Sequence, residues 1–388
     1  MGLSAVVIGS GWAGEGHTLA LRAAGVHVVA LCGRTAEAVQ ALARRLELPE
    51  ARLDWSRALS DLKPDIVAIA TPAGPHREIA EAAAKLGSHI FCDKPLAVDL
   101  ASARAMVLAV RQAKVKHAYA ASSCLEPIVG YARSLIASGL IGTLTGIEFH
   151  IHYGLARPTV FSWFHDLKQG GGMLNQIFTH ALAQVLRVTD GAPKQVTGEA
   201  KCFVTRAPIG PPIHDFRQWF TIVPEADETD PSQWRTADAD TEYAVMLRLA
   251  MPGGGEVTAR FYGSLTSKSL DDEHFILYGS KGTLAITGRG DKRLQHYDFA
   301  RDSWQGLTVP SSDCDPAHVL SNEQRNWNAM AQGFVADVRG ESSEFYPTFE
   351  DGWVAAKIID IIRTGKAWAD VPDELTLREF PAIVAGAL

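Results

Sequence analysis

The stretch Ala5-Val6-Val7-Ile8-Gly9-Ser10-Gly11-Trp12-Ala13-Gly14 decides how the rest of the chain is read. A short apolar run stops at a glycine turn, and residues with helical spacing follow from about Gly16 to Ala24. In such a layout the first glycine makes the turn, the second lets backbone amides approach a phosphate, and the third lets the helix close on the strand. The orphan N–H groups of the helix start then suit a dinucleotide pyrophosphate. A G-x-G-x-x-G alone is weak evidence, because glycine is common. Here a strand precedes it, a helix follows, and a second apolar strand, His27 to Leu31, lies at the spacing such a fingerprint needs. The alternative is a plain strand–helix turn.

Outward from this turn, strand and helix patterns alternate. Ala36 to Leu46 has helical spacing and ends at Leu48-Pro49, and a short helix spans Trp55–Leu62. Asp65 to Ala70 reads as a buried strand stopped by Thr71-Pro72, His76 to Leu86 as a helix, Ser88 to Cys92 as a strand and Ala101 to Gln112 as a helix. This alternation predicts a Rossmann-type, doubly wound parallel sheet over residues 1–122. From residue 123 the pattern changes. Ile128–Ser138 and Met173–Val188 look helical, Leu144–Tyr153 alternates as a strand, and six later runs between Gln195 and Tyr297 read as strands. Helical spacing returns at Asn322–Arg339 and Asp351–Thr364. The fold class predicted is α/β, with a C-terminal α+β domain (123–388) built on a large, mostly antiparallel open sheet. The stretch 207–240 has no periodicity and reads as a long loop or insertion.

Bulk properties agree with two globular domains in 388 residues that are 47% apolar and 21% charged. The net charge of −7 divides into +3 for residues 1–122 and −10 for the remainder. With no basic stripe, nucleic acid is not an expected partner. Five cysteines without a C-x-x-C pair suit a reducing compartment and exclude a zinc knuckle. No apolar run is long enough to span a membrane, and the first strand begins close to Met1, so the expectation is a cytoplasmic protein.

A second constellation, Phe91-Cys92-Asp93-Lys94-Pro95-Leu96, lies just past a parallel strand. Ligands of doubly wound sheets bind there, so Lys94 is placed to hold a substrate hydroxyl and Asp93 to tune its charge. A routine surface Asp-Lys pair is the alternative. The order of motifs is more telling: the glycine turn, Ala70-Thr71-Pro72 with His76, Asp93-Lys94-Pro95, Gly170-Gly171-Gly172 leading to His180, Tyr278 to Leu284, and Phe349-Glu350-Asp351-Gly352. Together they resemble the glucose–fructose oxidoreductase/inositol dehydrogenase/MocA family over residues 3–366.

That resemblance implies an NAD(P)-dependent dehydrogenase or reductase acting on CH–OH groups of a sugar, polyol or glycoside. It implies Lys94 and His180 as catalytic residues, and Thr71, Pro72 and His76 near the nicotinamide, with a Lys-Pro bond that is often cis. It also implies a homodimer or homotetramer formed through the C-terminal sheet. Two departures stand out. The family's glutamate before Lys-Pro is Asp93, and Gln176, preceded by Asn175, stands where an aspartate is commonest. Amides are not general bases, so Asn175 and Gln176 are read as substrate-orienting residues beside a Lys/His pair.

After the second strand the chain reads Cys32-Gly33-Arg34-Thr35, with no carboxylate to repel a 2′-phosphate. Arg34 and Thr35 therefore favour NADP over NAD, and stacking of Arg34 on adenine is the alternative. Tyr153, Trp163 and His165 are candidates to line the substrate pocket. His150 and His152 share a strand face, but no third ligand is evident and no metal is expected. Glu126-Pro127 opens the second domain and carries no assigned role. Two rival functions remain: a redox-neutral lyase or glycosidase that recycles a bound NAD, and a non-catalytic sugar- or dinucleotide-sensing regulator.

Overall fold

A computed structural model describes residues 2–155, 159–213, 216–310, 320–365 and 367–372. The chain begins β1 (Ser4–Ile8), α1 (Trp12–Ala23), β2 (His27–Cys32), α2 (Ala36–Arg45), β3 (Glu50–Arg52) and α3 (Trp55–Leu62). It continues β4 (Ile66–Ile69), α4 (His76–Lys85), β5 (His89–Cys92), α5 (Leu100–Ala113) and β6 (His117–Tyr119). The six strands form one parallel sheet in the order β3-β2-β1-β4-β5-β6. The sheet order reverses between β1 and β4, which opens a crevice beyond their carboxyl ends. All four residues of β4 are buried, as a strand covered by helices on both faces requires. Local signals set the helix starts: Asp54 and Asp99 cap α3 and α5 by accepting from Arg57 N and Ser102 N. The edge strands β3 and β6, three residues each, were not anticipated from the sequence.

The second region runs α6 (Pro127–Ala137), β7 (Leu144–His152), α7 (Thr179–Thr189), β8 (Ala192–Lys201), β9 (Arg206–Pro208), α8 (Phe216–Trp219) and β10 (Trp234–Thr236). Then come β11 (Glu242–Ala250), β12 (Glu256–Ser264), β13 (Glu273–Gly279), β14 (Gly282–Thr287), β15 (Arg293–Asp298) and β16 (Ser303–Leu307). The nine-stranded sheet is ordered β16-β15-β14-β13-β7-β12-β11-β8-β17, where β17 is Ala369–Asp370. It is mixed: β7 and β12 pair in parallel, while the other pairs are antiparallel. Period-two alternation puts Phe149 and Ile151 into the core and His150 and His152 on the opposite face. The histidines meet His274 and Tyr262 there, and no cluster among the described residues could hold a metal.

Two findings revise the sequence reading. First, 207–240 contains regular structure: β9 and β10 pair as a small two-stranded antiparallel sheet, and α8 forms a single turn whose aromatic side chains face inward. Secondly, helices late in the chain return to the N-terminal sheet. α9 (Asn322–Val338) packs on α1, and α10 (Phe349–Arg363) packs on α5. Trp327, Met330 and Phe334 complete one apolar cluster of the parallel sheet; Phe349 and Trp353 complete the other. Ile358 and Ile362 of α10 face the second core. A division at residue 122 therefore separates the strands of the two sheets, not their hydrophobic cores. No helix among the described residues is long and apolar enough to cross a membrane.

Candidate active site

The glycine turn is built as close packing demands. Gly9 has φ +131°, and a Cβ there would lie 2.2 Å from Ala70 O. At Gly14 a Cβ would lie 1.9 Å from Gly9 O, so only glycine lets α1 approach β1 this closely. The turn opens into a cleft of about 900 Å³. Ser10, Gly11, Trp12, Ala13, Arg34 and Thr35 line one end; Thr71, Pro72 and Asp93 continue the wall; Lys94, Gln176 and His180 follow. The buried Thr71 Oγ1 has no partner among the described residues. A bare helix start, a glycine cradle and an unpartnered hydroxyl along one cleft fit a dinucleotide.

Lys94 follows β5, and its peptide bond to Pro95 is cis, as the resemblance implied. Its ammonium donates to Gln176 Oε1 at 2.6 Å and to Gln176 O at 3.2 Å. Gln176 is itself fixed, because its Nε2 donates to Gly170 O at 2.6 Å. Burial holds the lysine below its ordinary pKa, and the nearby Asp93 carboxylate opposes that shift. Asp93 is raised by burial, offset by Lys94 and by the Lys94 N–H that its Oδ1 accepts. Gln176 lies in a π-helical turn, Leu174–Phe178, that runs into α7. Such a turn offsets the face of a helix and often marks functional sites.

His180, in the first turn of α7, has Nδ1 3.0 Å from Ser123 Oγ. Burial pushes its pKa well below the ordinary value, helped by the charges of Lys94 and Lys292. The imidazole is therefore neutral near pH 7 and retains a basic lone pair. Tyr153 and Trp163 also line the cleft. Arg289 lies over the Tyr153 ring at 4.3 Å, and burial pushes that hydroxyl up to about 12.

Three expected site residues stand elsewhere. His76 is fully buried behind the Thr71 turn, with Nε2 2.9 Å from Thr71 O and Nδ1 3.2 Å from Leu96 O. It braces the turn from behind and does not line the cleft. Asn175 points to the other side of its helix, where Nδ2 donates to Gly171 O at 3.0 Å beside a separate small cavity. His165 is buried between Phe161 and Trp219, and its Nδ1 accepts from Ser162 N. Each is taken out of the cleft by backbone hydrogen bonding that its local turn requires.

Sequence reasoning gave no role to several residues that reach the cleft. Ser123, Glu126, Glu273, Arg289 and Lys292 line it, and so do Ile213, Phe216 and Phe220 of the 207–240 segment. That segment is tied to the first domain, because Arg217 Nη2 lies 2.7 Å from Glu15 Oε2 in the first turn of α1. No motif marks these positions. Only the fold, which lines one cleft with them, brings them together.

The sequence profile described as "Oxidoreductase family, NAD-binding Rossmann fold" matches residues 3–120, and that of the GFO/IDH/MocA C-terminal domain matches 129–285. The chain belongs to the GFO/IDH/MocA oxidoreductase family. Within this family it is similar to levoglucosan dehydrogenase of Pseudarthrobacter phenanthrenivorans, with 26% identity over 95% of this chain and 98% of that protein. It is also similar to inositol 2-dehydrogenase of Rhizobium meliloti, with 25% identity over 52% of this chain and 59% of that enzyme. The solved structure of levoglucosan dehydrogenase in complex with NADH and levoglucosan superposes with a TM-score of 0.79. That match covers 96% of this chain and 100% of the other at 23% identity, and so supports the fold. The chain is thus an oxidoreductase of a GFO/IDH/MocA type, with a Rossmann domain for NAD.

Proposed function

We propose that this protein is an NAD(P)-dependent dehydrogenase or reductase of a secondary alcohol or ketone in a sugar, polyol or glycoside. The observation that carries the reading is that Lys94 and His180 line one cleft together with the glycine turn. When bound, the nicotinamide would accept or supply the hydride. Gly9 to Gly14 would hold its pyrophosphate, and Thr71, Pro72 and Asp93 would flank it.

The chain's own groups handle the proton. With two donors engaged by Gln176, the Lys94 ammonium has a third N–H for the substrate oxygen, which it stabilises as negative charge develops. His180 takes the hydroxyl proton as a general base during oxidation and returns it during reduction. Donation from Nδ1 to Ser123 Oγ would leave Nε2 as the basic nitrogen. Gln176 positions Lys94. At the other end, Arg34 and Thr35 stand where a ribose-binding carboxylate is absent, which supports acceptance of NADP beside NAD.

The test is a side-by-side titration with NADPH and NADH, followed by tryptophan fluorescence because Trp12 lines the cleft. Turnover of a sugar and polyol panel then follows. Lys94→Ala and His180→Ala are each expected to cost roughly 10²–10⁴ in rate while cofactor binding survives. Near wild-type rates in both variants would overturn the assignment. Substrate conversion without net cofactor reduction would point to the redox-neutral alternative.

A further inference from the structure

Three charged side chains meet in the wall of the cleft beside His180. Lys292, on the turn between β14 and β15, lies 2.8 Å from Glu126 Oε2 and 2.9 Å from Glu273 Oε1. Their side chains are only 10%, 14% and 8% exposed, respectively. The arrangement joins three distant parts of the chain: the start of α6, the first residue of β13, and the β14–β15 turn. All three residues line the same cavity as Lys94 and His180.

Burying three charges is costly, and well-packed apolar side chains in place of a purely structural triad are often neutral or more stable. The triad is also incompletely satisfied. Each carboxylate uses one oxygen on Lys292, and no partner is recorded among the described residues for Glu126 Oε1 or Glu273 Oε2. The ammonium spends two of its three donors. Burial raises the Glu126 carboxyl, with Lys292 opposing and Glu273 adding to the rise. Lys292 is raised because its two carboxylate neighbours together outweigh its own burial. The two directions have one cause: the ammonium gains from two carboxylates, while Glu126 is buried and feels the charge of Glu273.

What remains available is two strong acceptors and one donor. Hydroxyl groups on neighbouring carbons match that set, since each can donate to a carboxylate oxygen and accept from an ammonium. A hydrocarbon would leave the remaining carboxylate oxygens and the third N–H without partners, and an acid group would meet Glu126 and Glu273. We propose that Glu126, Lys292 and Glu273 form the hydroxyl-recognition site of the substrate pocket. They grip adjacent hydroxyls of a neutral polyhydroxylated substrate, on carbons other than the one that reacts. This rests on the dehydrogenase reading above and assigns the selectivity of its pocket to these three residues.

The test reads binding before chemistry. Calorimetric titration of the full-length protein with NADH present would use levoglucosan, inositol and D-glucose, their mono-deoxy analogues, and glucuronate. The wild-type protein is expected to bind at least one neutral polyol, to bind one deoxy analogue roughly 10–100-fold more weakly, and to reject glucuronate. Glu273→Gln, Glu126→Gln and Lys292→Met should weaken the parent polyol by a similar factor yet leave that deoxy analogue and NADH unchanged. A structural role alone would lower the thermal midpoint without this selectivity. Absence of binding by every neutral polyol, equal binding of all deoxy analogues, or unchanged affinity in the folded variants would overturn the proposal. The wild-type comparison needs no variant, so misfolding of a substituted protein does not remove the test. Selective binding with neither reduction of NAD(P)+ by the bound polyol nor oxidation of NAD(P)H by its ketone would leave the triad standing and remove the dehydrogenase or reductase reading.

Discussion

Lys94 Nζ donates to Gln176 Oε1 at 2.6 Å, so the lysine of this cleft is held by a neutral amide. An amide fixes the position of the ammonium without adding negative charge. Lys94 therefore loses to burial more than it regains from Asp93, and its pKa lies below the ordinary value.

Gln176→Glu would place a carboxylate in that contact. An opposite charge at this distance favours the protonated lysine. The alkaline limb of the kcat/KM–pH profile should move upward by roughly one unit or more, and the limb set by His180 should move upward with it. An unchanged profile would mean that neither group controls the rate. Gln176→Ala should lower kcat chiefly by freeing Lys94, with little change in cofactor affinity.

His17 on α1 is fully buried, and neither ring nitrogen has a partner among the described residues. Its ring packs at right angles to Phe91 with centroids 4.8 Å apart. Burial, then the nearby His76, pushes its pKa down to about 3 from the model-compound value of 6.5. The unfolded chain takes up this proton first. The stability contributed by a neutral His17 is thus complete above pH 6.5 and lost as pH falls from there towards about 3. The full loss is on the order of 5 kcal/mol. His17→Leu should flatten the fall in unfolding free energy between pH 6.5 and 4. An identical slope in the variant would sink the argument.

Trp327 of α9 sits against the helix that starts at the glycine turn. A Cβ added at Gly16 would lie 2.1 Å from its ring, and the Trp12 ring is 5.3 Å away. Trp327→Ala should cost about 3–5 kcal/mol in denaturant unfolding. Gly16→Ala should cost about 1–3 kcal/mol by overpacking, and most of that cost should vanish when Trp327 is replaced by Leu. Additive effects in the double variant would show that the two positions do not press on each other.

Arg34 is exposed at the end of the cleft, just past β2. Arg34→Ala should weaken NADPH by roughly tenfold or more and change NADH little. A constant NADPH/NADH affinity ratio would confine this arginine to stacking.

The solvent face of the nine-stranded sheet carries Met246, 38% exposed, in a strand whose other face is core. We propose that a second copy covers this face. Light scattering should report two or four times 41.9 kDa, and Met246→Glu should shift the mass towards one copy. A wild-type monomer would refute it.

The parallel sheet was legible because each unit announces itself locally, by an apolar run, a glycine or proline stop, and helical spacing. Glu50–Arg52 and His117–Tyr119 were not, since three-residue edge strands carry too little pattern to stand out. Alternation located seven of the nine strands of the second sheet and missed the short edge strands β16 and β17, and the parallel pairing of β7 with β12 depends on strand order in space. The apolar spacing of α9 said that one face is buried; nothing in it said against which domain. In the site, the position of Lys94 just past a strand was readable from the pattern, whereas the catalytic roles of Lys94 and His180 came only from the family resemblance. Glu126, Glu273 and Lys292 are ordinary charged residues, distant in sequence, and only folding makes them neighbours. His76, His165 and Asn175 show the converse. A polar side chain near a motif is as readily consumed by the turn that shapes it.

The docking of α9 on the parallel sheet bears on how the protein is made. The sheet's last strand ends at Tyr119, but the apolar wall beside β1 and β2 is closed by Trp327 and Phe334. During synthesis the first domain therefore emerges with an uncovered flank, and about two hundred further residues must leave the ribosome before its own cover arrives. The nascent chain carries that apolar surface until then, so the order of synthesis and the order of packing differ in this fold.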